Sequence, residues 1–358
     1  MTNILDYLDW LGDISFNEVK LNKIDALILS RLSYLRFKPV KNIRLFEAID
    51  SYLARDDYKE IALASQDIEL ILRLRQSRRF KNLLIYDISD DFDSRIDKQF
   101  AAMTILINSK TAFISYRGTD DTLTGWKEDF NMAFMDEVPS QIEAVNYLDN
   151  IAAKSFYSFI LGGHSKGGNL AVYAAVKSGT SYKRIKDVYN FDGPGFSFSL
   201  SSFEKYNKLK GRFHTYIPQS SIIGLLMDHE DEYTIVKSTQ IGLMQHDIYS
   251  WLIKGREYIL SDELTKDSVV LEKALHEWLR NTDKEKREQF VEAIFTLLKQ
   301  PDENKTSLFS RIYDNISYIT SSIKNLSTEE RRVIVDSLSS LIKTIARSYS
   351  GENSGQTD

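Results

Sequence analysis

The sequence predicts an α/β fold: a mainly parallel central sheet covered on both faces, with a helical segment before it and a helical extension after it. Three observations carry that expectation. Short aliphatic and aromatic runs recur through the middle of the chain, separated by stretches with helical periodicity, which is the pattern of strands alternating with helices. A glycine-rich turn, Gly163-His164-Ser165-Lys166-Gly167-Gly168, joins one such run to a helical one. Beyond about residue 255 the chain turns charged and lacks glycine until Gly351, as a helical extension would.

The elements follow in order. Residues 1–80 read as helical, with Ile24, Leu27, Ile28, Leu32 and Leu35 at packing spacing and a second set through Ile61, Ala62, Ile68, Leu70, Ile71 and Leu72. The core, residues 81–255, opens with a strand at Leu83–Tyr86. Strands at Ala101–Ile107 and Thr111–Tyr116 follow, and the Asn108-Ser109-Lys110 link between them has hairpin length. A helix over Ser140–Lys154 leads to the apolar run Phe156–Gly162, a central strand, and Gly168–Ala175 is helical. Further strands are expected at Asp187–Phe191, Arg212–Ile217 and Tyr233–Lys237. The extension, residues 256–346, carries an amphipathic run through Phe290, Val291, Ile294, Phe295, Leu297 and Leu298. A capping box at Ser327-Thr328-Glu329-Glu330 precedes a stripe of Val333, Ile334, Leu338, Leu341 and Ile342. Such stripes suit core-facing or inter-helix contacts, and the extension as a whole suits a lid, a homodimer contact or a protein partner. The polar tail, 347–358, is expected to be disordered.

Composition narrows the function classes. Of 358 residues 42% are hydrophobic and 27% charged, enough for a sizeable core, and the net charge of −5 with dispersed basic residues argues against nucleic acid. There is no cysteine, which excludes disulfides, thiol nucleophiles and thiolate metal sites. The N-terminal residues are acidic where a signal peptide is basic, and no segment is apolar over the length of a membrane span. The expectation is a cytoplasmic protein with no integral membrane association.

The chemistry centres on Ser165. A G-x-S-x-G placed between a buried strand and a helix is a nucleophile elbow, whose strained turn lifts the serine hydroxyl clear of the sheet. The backbone N–H of Lys166 then lies at a helix N-terminus, where orphan donors and the dipole favour an oxyanion. A serine hydroxyl needs a base and a group to orient that base. Five histidines are present. His164 adjoins the serine within the turn and its ring is expected to point elsewhere. His214 falls in a strand and His276 in the helical extension. His246, on a loop after the last strands, is the leading base, with His229 as the alternative. Asp192, in Asn190-Phe191-Asp192-Gly193-Pro194-Gly195, ends the strand after the elbow helix and is the leading acid. An Asx turn is its structural alternative, and Asp228 and Asp247 are rivals, Asp247 disfavoured by adjacency to His246. A second oxyanion donor is expected from Tyr116-Arg117-Gly118-Thr119-Asp120, with Thr119 offering its N–H and hydroxyl. Arg117 is expected to pair with Glu128 or Asp129 and so hold this loop.

Arg117-Gly118-Thr119 followed by Trp126 and Asp129, and then Gly163-His164-Ser165-Lys166-Gly167-Gly168, resembles the class 3 lipases of the α/β-hydrolase fold. The chain is more similar still to a bacterial lipase-like family long labelled a domain of unknown function (DUF2974), through Gln99-Phe100-Ala101-Ala102-Met103, Phe191-Asp192-Gly193-Pro194-Gly195-Phe196 and Gln245-His246-Asp247. The resemblance covers about residues 20–255. It implies an α/β-hydrolase core with Ser165 as nucleophile, His246 as base, Thr119 and Lys166 as oxyanion donors, an ester substrate, and no metal or other cofactor. Two departures stand out. The segment where class 3 lipases carry their acid reads Pro218-Gln219-Ser220-Ser221-Ile222-Ile223-Gly224, which returns the acid to Asp192, the position pancreatic-type lipases use. The residue after the nucleophile is Lys166 rather than leucine or methionine, and a cation there suits a polar or anionic substrate.

The resulting expectation is a serine hydrolase that cleaves carboxylic esters of small-molecule or lipid-like substrates through an acyl-enzyme. A thioesterase or peptidase on the same triad is the alternative enzyme. A non-catalytic interaction protein with a vestigial hydrolase domain is the alternative outside catalysis.

Overall fold

The computed structural model describes residues 2–298 except 40, 121, 122, 133, 134, 136, 228 and 231, and beyond them 328, 331–337, 339, 340, 343, 344 and 347. Four helices come first: α1 (Ile4–Leu11), α2 (Lys23–Leu32), α3 (Leu45–Leu53) and α4 (Ser65–Gln76), with the two-residue strand β1 (Ile43–Arg44) ahead of α3. Asn3 and Asn22 start α1 and α2 with their side chains accepting backbone N–H groups, while Asp6 and Asp25 return the bond from the third helical position.

The sheet continues with β2 (Leu84–Asp93), β3 (Lys98–Asn108) and β4 (Thr111–Tyr116), an antiparallel meander. Helices α5 (Leu123–Asn131) and α6 (Pro139–Ala153) lead to β5 (Ser158–His164), and α7 (Lys166–Lys177) to β6 (Ile185–Phe191). Then come α8 (Glu204–Leu209), β7 (Phe213–Pro218) and β8 (Tyr233–Val236). The eight strands lie side by side in chain order, antiparallel from β1 to β4 and parallel from β4 to β8. This is an α/β-hydrolase fold whose parallel half carries the strand–turn–helix around Ser165. A small hairpin, β9 (Ile253–Lys254) with β10 (Glu257–Tyr258), precedes α9 (Lys266–Asn281) and α10 (Lys284–Leu298).

Strand alternation divides the core between the two faces. Phe113, Ile160, Tyr189 and Tyr216 face the N-terminal helices and Trp251, together with Ile24, Leu27 and Ile28 of α2. Ala112, Ile114, Phe159 and Leu161 face the other side, against Leu148 and Ile151 of α6 and Leu170 and Tyr173 of α7. The expected β2 strand runs well past Tyr86, because its outer half pairs with β3 along its whole length. Leu72, expected among the packing residues, is 45% exposed on the outer side of α4.

Two buried ion pairs tie the N-terminal helices together. Arg79 holds Asp25 at 2.8 and 2.5 Å, with Tyr7 donating to the same carboxylate. Arg31 holds Asp67 through two contacts of 2.7 Å, and Tyr249, next to the loop that carries His246, donates to Asp67 as well. Beyond Leu298, Val333 and buried Ile334 sit on a helical stretch, 331–337. Ser327, Glu329 and Glu330 of the expected capping box, Leu338, Leu341 and Ile342 of the stripe, the side chains of Ile294, Phe295, Leu297 and Leu298, and the tail after 347 lie outside the described residues.

Candidate active site

Ser165 sits between β5 and α7 at φ 58° and ψ −136°, a backbone conformation that costs a non-glycine residue strain and that the surrounding structure must impose. Its N–H donates to Phe191 O at 2.9 Å and its carbonyl accepts from Gly168 N at 2.8 Å, so β6 and the first turn of α7 hold it. The glycines are required by close approach. A Cβ on Gly163 would lie 2.2 Å from the Gly167 backbone, and one on Gly167 would lie 2.2 Å from Tyr116 O.

Asp192 follows β6 at φ 51°, and its N–H donates to Tyr216 O at 2.8 Å, which pins it to β7. Its carboxylate is 1% exposed, with Oδ2 2.6 Å from His246 Nδ1 and Oδ1 accepting from Ser221 Oγ at 2.5 Å. Ser221 Oγ in turn accepts from Gly224 N at 3.0 Å, which turns the serine hydroxyl toward Asp192. Because the carboxylate accepts from Nδ1–H, the second ring nitrogen of His246 is left as the basic one. Of the two serines in the 218–224 segment, Ser221 therefore supports the Asp192 carboxylate. Ser221 had no signal of its own in the sequence, since its partner lies 29 residues away.

His246 ends a short turn, Gly242–His246, and its position is set by the residue beside the candidate nucleophile. His164 Nε2 lies 2.8 Å from His246 O, and the two ring centroids are 4.4 Å apart with the planes tilted by 34°. Tyr34 OH donates to His164 O at 2.9 Å and lies 3.3 Å from its Nδ1. Burial, with His246 and Arg31 nearby, pushes the His164 imidazole well below its ordinary value, so it stays neutral and donates from Nε2. His164 thus meets Tyr34 and His246, and it supports the histidine across the site. Adjacency to Ser165 in the motif concealed that contact.

The remaining candidates lie elsewhere. His214 pairs with Asp187 at 2.9 Å on the sheet, and His276 meets the carbonyls of Leu225 and Met227 at 3.2 and 3.1 Å. His229 lies beside the Tyr233 ring, 6.5 Å between centroids. Asp247 caps the next turn through Tyr249 N at 3.1 Å. Asp228 lies outside the described residues.

The loop after β4 runs alongside the nucleophile turn, because a Cβ on Gly118 would lie 2.6 Å from His164 O and 3.0 Å from the Ser165 Cβ. Thr119 donates its hydroxyl to Asp129 Oδ2, which leaves its backbone N–H as the donor it can offer to a ligand. Two sequence expectations are corrected here. The Lys166 ammonium does not face a substrate: its side chain is fully buried against Glu128 at 2.8 Å, because the core beneath the turn supplies carboxylates. Arg117 pairs with neither Glu128 nor Asp129. It reaches Asp90 on β2 through two contacts of 3.0 Å, since Glu128 is taken up by Lys166, Ser140 and Gln99 N.

Residues 74–296 match the family described as Mbeg1-like, more than half of the chain. The chain belongs to the Mbeg1-like family. The match takes in every strand of the main sheet except β1, and with them Ser165, Asp192 and His246. This Mbeg1-like chain is also similar, at low identity, to three solved structures. The lipase of Rhizomucor miehei in its propeptide complex is 13% identical, with a TM-score of 0.36 over 60% of this chain and 68% of that one. A fungal lipase is 12% identical, with a TM-score of 0.41 over 64% and 83%. M37 lipase is 13% identical, with a TM-score of 0.33 over 56% and 69%. No curated protein matches the sequence. Among the described residues no helix of this Mbeg1-like chain is long and apolar enough to cross a membrane.

Proposed function

We propose that this protein is a serine hydrolase that cleaves carboxylic esters, with Ser165 as nucleophile, His246 as general base and Asp192 as the group that orients it. The observation that carries the reading is the buried Asp192 carboxylate, 2.6 Å from His246 Nδ1, on the strand end that also holds the strained Ser165 turn.

In this mechanism His246 Nε2 takes the Ser165 proton as Oγ attacks the ester carbonyl. The carbonyl π pair moves to oxygen, and the oxyanion is met by the N–H groups of Lys166 and Thr119, each contributing about 3 kcal/mol. The imidazolium, held by Asp192, protonates the leaving alcohol as the C–O bond breaks and an acyl-serine remains. Water, deprotonated by His246, attacks that acyl group; the acyl–Oγ bond then breaks, the imidazolium returns its proton to Ser165 Oγ, and the carboxylic acid leaves. The withdrawal of the Lys166 charge into the core removes the reason to favour an anionic ester. Ile241 and Met244, 82% and 63% exposed on the loop ahead of His246, supply apolar contact beside the base and favour an acyl or lipid-like substrate.

The test is labelling of the purified chain with a fluorophosphonate, which needs an activated serine, with Ser165→Ala as control. Stoichiometric labelling that disappears in the variant supports the reading. A folded wild-type protein that takes up no probe overturns it.

A further inference from the structure

Lys166 opens α7 directly after the candidate nucleophile, and its side chain is 0% exposed. Burying an ammonium costs several kcal/mol unless charges and hydrogen bonds compensate, so packing alone would be served better by an apolar residue. The cation lies 2.8 Å from Glu128 Oε2, 3.1 Å from Gln99 O and 3.6 Å from Asp129 Oδ1. Glu128 hardly needs it, since that carboxylate also accepts from Ser140 N at 2.8 Å, Ser140 Oγ at 2.7 Å and Gln99 N at 3.1 Å.

Asp129 is in a different position. Its Oδ2 accepts the Thr119 hydroxyl, while its Oδ1 is shut off from solvent with no hydrogen bond and faces Lys166. We propose that Lys166 is a positioning residue: its buried ammonium keeps Asp129 an ionised acceptor for the Thr119 hydroxyl, and so fixes the backbone N–H groups of residues 119 and 166 as a pair of oxyanion donors. This rests on the hydrolase reading above. One side chain thereby links the residue that supplies the first donor to the carboxylate that holds the second.

The electrostatic surroundings make the coupling matter near neutrality. The Asp129 carboxyl is raised to about 6 as the net of opposing causes: burial raises it most, Lys166 and the Thr119 hydroxyl hold it down, and Glu128 on the same helix adds to the rise. From the loop after β4, Asp120 adds to the field on Lys166, and Arg117 and the phenol of Tyr34 also face this cluster. From α10, Glu292 is engaged by Lys127 at 2.6 Å. Removing the Lys166 charge leaves burial and Glu128 without their main opponent, so Asp129 holds its proton to higher pH. A protonated Asp129 carries an O–H of its own and competes as a donor with Thr119.

The experiment is the pH dependence of p-nitrophenyl butyrate turnover and of fluorophosphonate labelling between about pH 5 and 9. It compares wild type, Lys166→Met, Lys166→Arg, Asp129→Asn and the Lys166→Met/Asp129→Asn double variant. Lys166→Met should move the acid limb of kcat upward by about one pH unit, with KM changed less than about twofold. Lys166→Arg should restore the limb. Asparagine still accepts the Thr119 hydroxyl without titrating, so Lys166→Met should leave the limb unmoved in the Asp129→Asn background. A limb that Lys166→Met does not move, or moves equally in both backgrounds, overturns the proposal. Should Lys166→Met not fold, Asp129→Asn alone decides, because it keeps the Lys166–Glu128 pair. Its limb moves to lower pH if the proposal holds, and stays in place if it fails. Wild type that is neither labelled nor active overturns the hydrolase reading and this inference with it, whereas an active wild type with an unmoved limb overturns this inference alone.

Discussion

Asp192→Asn changes one buried atom of the candidate triad and almost nothing of its shape. The carboxylate makes two contacts, with His246 Nδ1 at 2.6 Å and with Ser221 Oγ at 2.5 Å. Asparagine offers one acceptor and one donor in their place. If its oxygen faces Ser221, its NH2 meets His246 Nδ1, which must then become an acceptor and places the imidazole proton on Nε2, where the base is needed. If its oxygen faces His246, the NH2 meets a hydroxyl already accepting from Gly224 N, and the negative charge that stabilises the imidazolium is gone in either case. Loss of the orienting acid in such triads costs about 10⁴ in kcat, which corresponds to roughly 5.4 kcal/mol of transition-state stabilisation. The assay is kcat for p-nitrophenyl butyrate beside a thermal melt. The expected result is a kcat lower by three to four orders of magnitude, roughly as in other triads, and a melting temperature within a few degrees of wild type. A loss of less than about tenfold in a folded variant would refute the assignment of Asp192 as the orienting acid.

Three further outcomes follow from the packing. Gly163→Ala places a methyl 2.2 Å from the Gly167 backbone, where no flexible side chain can yield, and should lower stability by about 3 kcal/mol in a urea melt; an unchanged midpoint would contradict the close approach. Asp67→Ala strips the partner from Arg31, a buried cation held by two contacts of 2.7 Å, and should cost about 3–5 kcal/mol by denaturant unfolding. His164 is held below its ordinary pKa by burial, so below about pH 6.5 the unfolded chain binds a proton that the folded chain refuses, and stability falls as pH falls. The contribution reaches about 1.4 kcal/mol per pH unit for one proton. Replacement by glutamine should flatten the slope of unfolding free energy between about pH 6.5 and 5, and an unchanged slope would show that His164 titrates normally.

Local order was largely legible from residue pattern. The β3–β4 hairpin, α6, the β5–turn–α7 unit, β6, β7 and β8 all fall where apolar runs, helical spacing and turn glycines place them, because period and turn chemistry are properties of adjacent residues. The turn around Ser165 was legible for the same reason: strand, tight turn and helix are contiguous, and glycine is demanded at the points of contact. The length of β2 was not, since its outer half carries Asp87, Asp90, Asp91 and Asp93 and is a strand only because β3 pairs with it.

The site divides along the same line. By itself the sequence determined the strained serine, the helix N-terminus behind it, and the few histidines and aspartates among which a base and an acid could be sought. Tertiary structure alone brought Asp192 to His246, 54 residues apart, and placed Ser221 behind that carboxylate. It also set His164 against His246 and turned Lys166 inward to Glu128, where its neighbours in sequence suggested a substrate-facing cation. The physical reason is that a side chain's charge and direction answer to what surrounds it in space. Lys166 is stable in the core because Glu128 and Asp129 arrive from another helix, and no pattern of adjacent residues records that arrival.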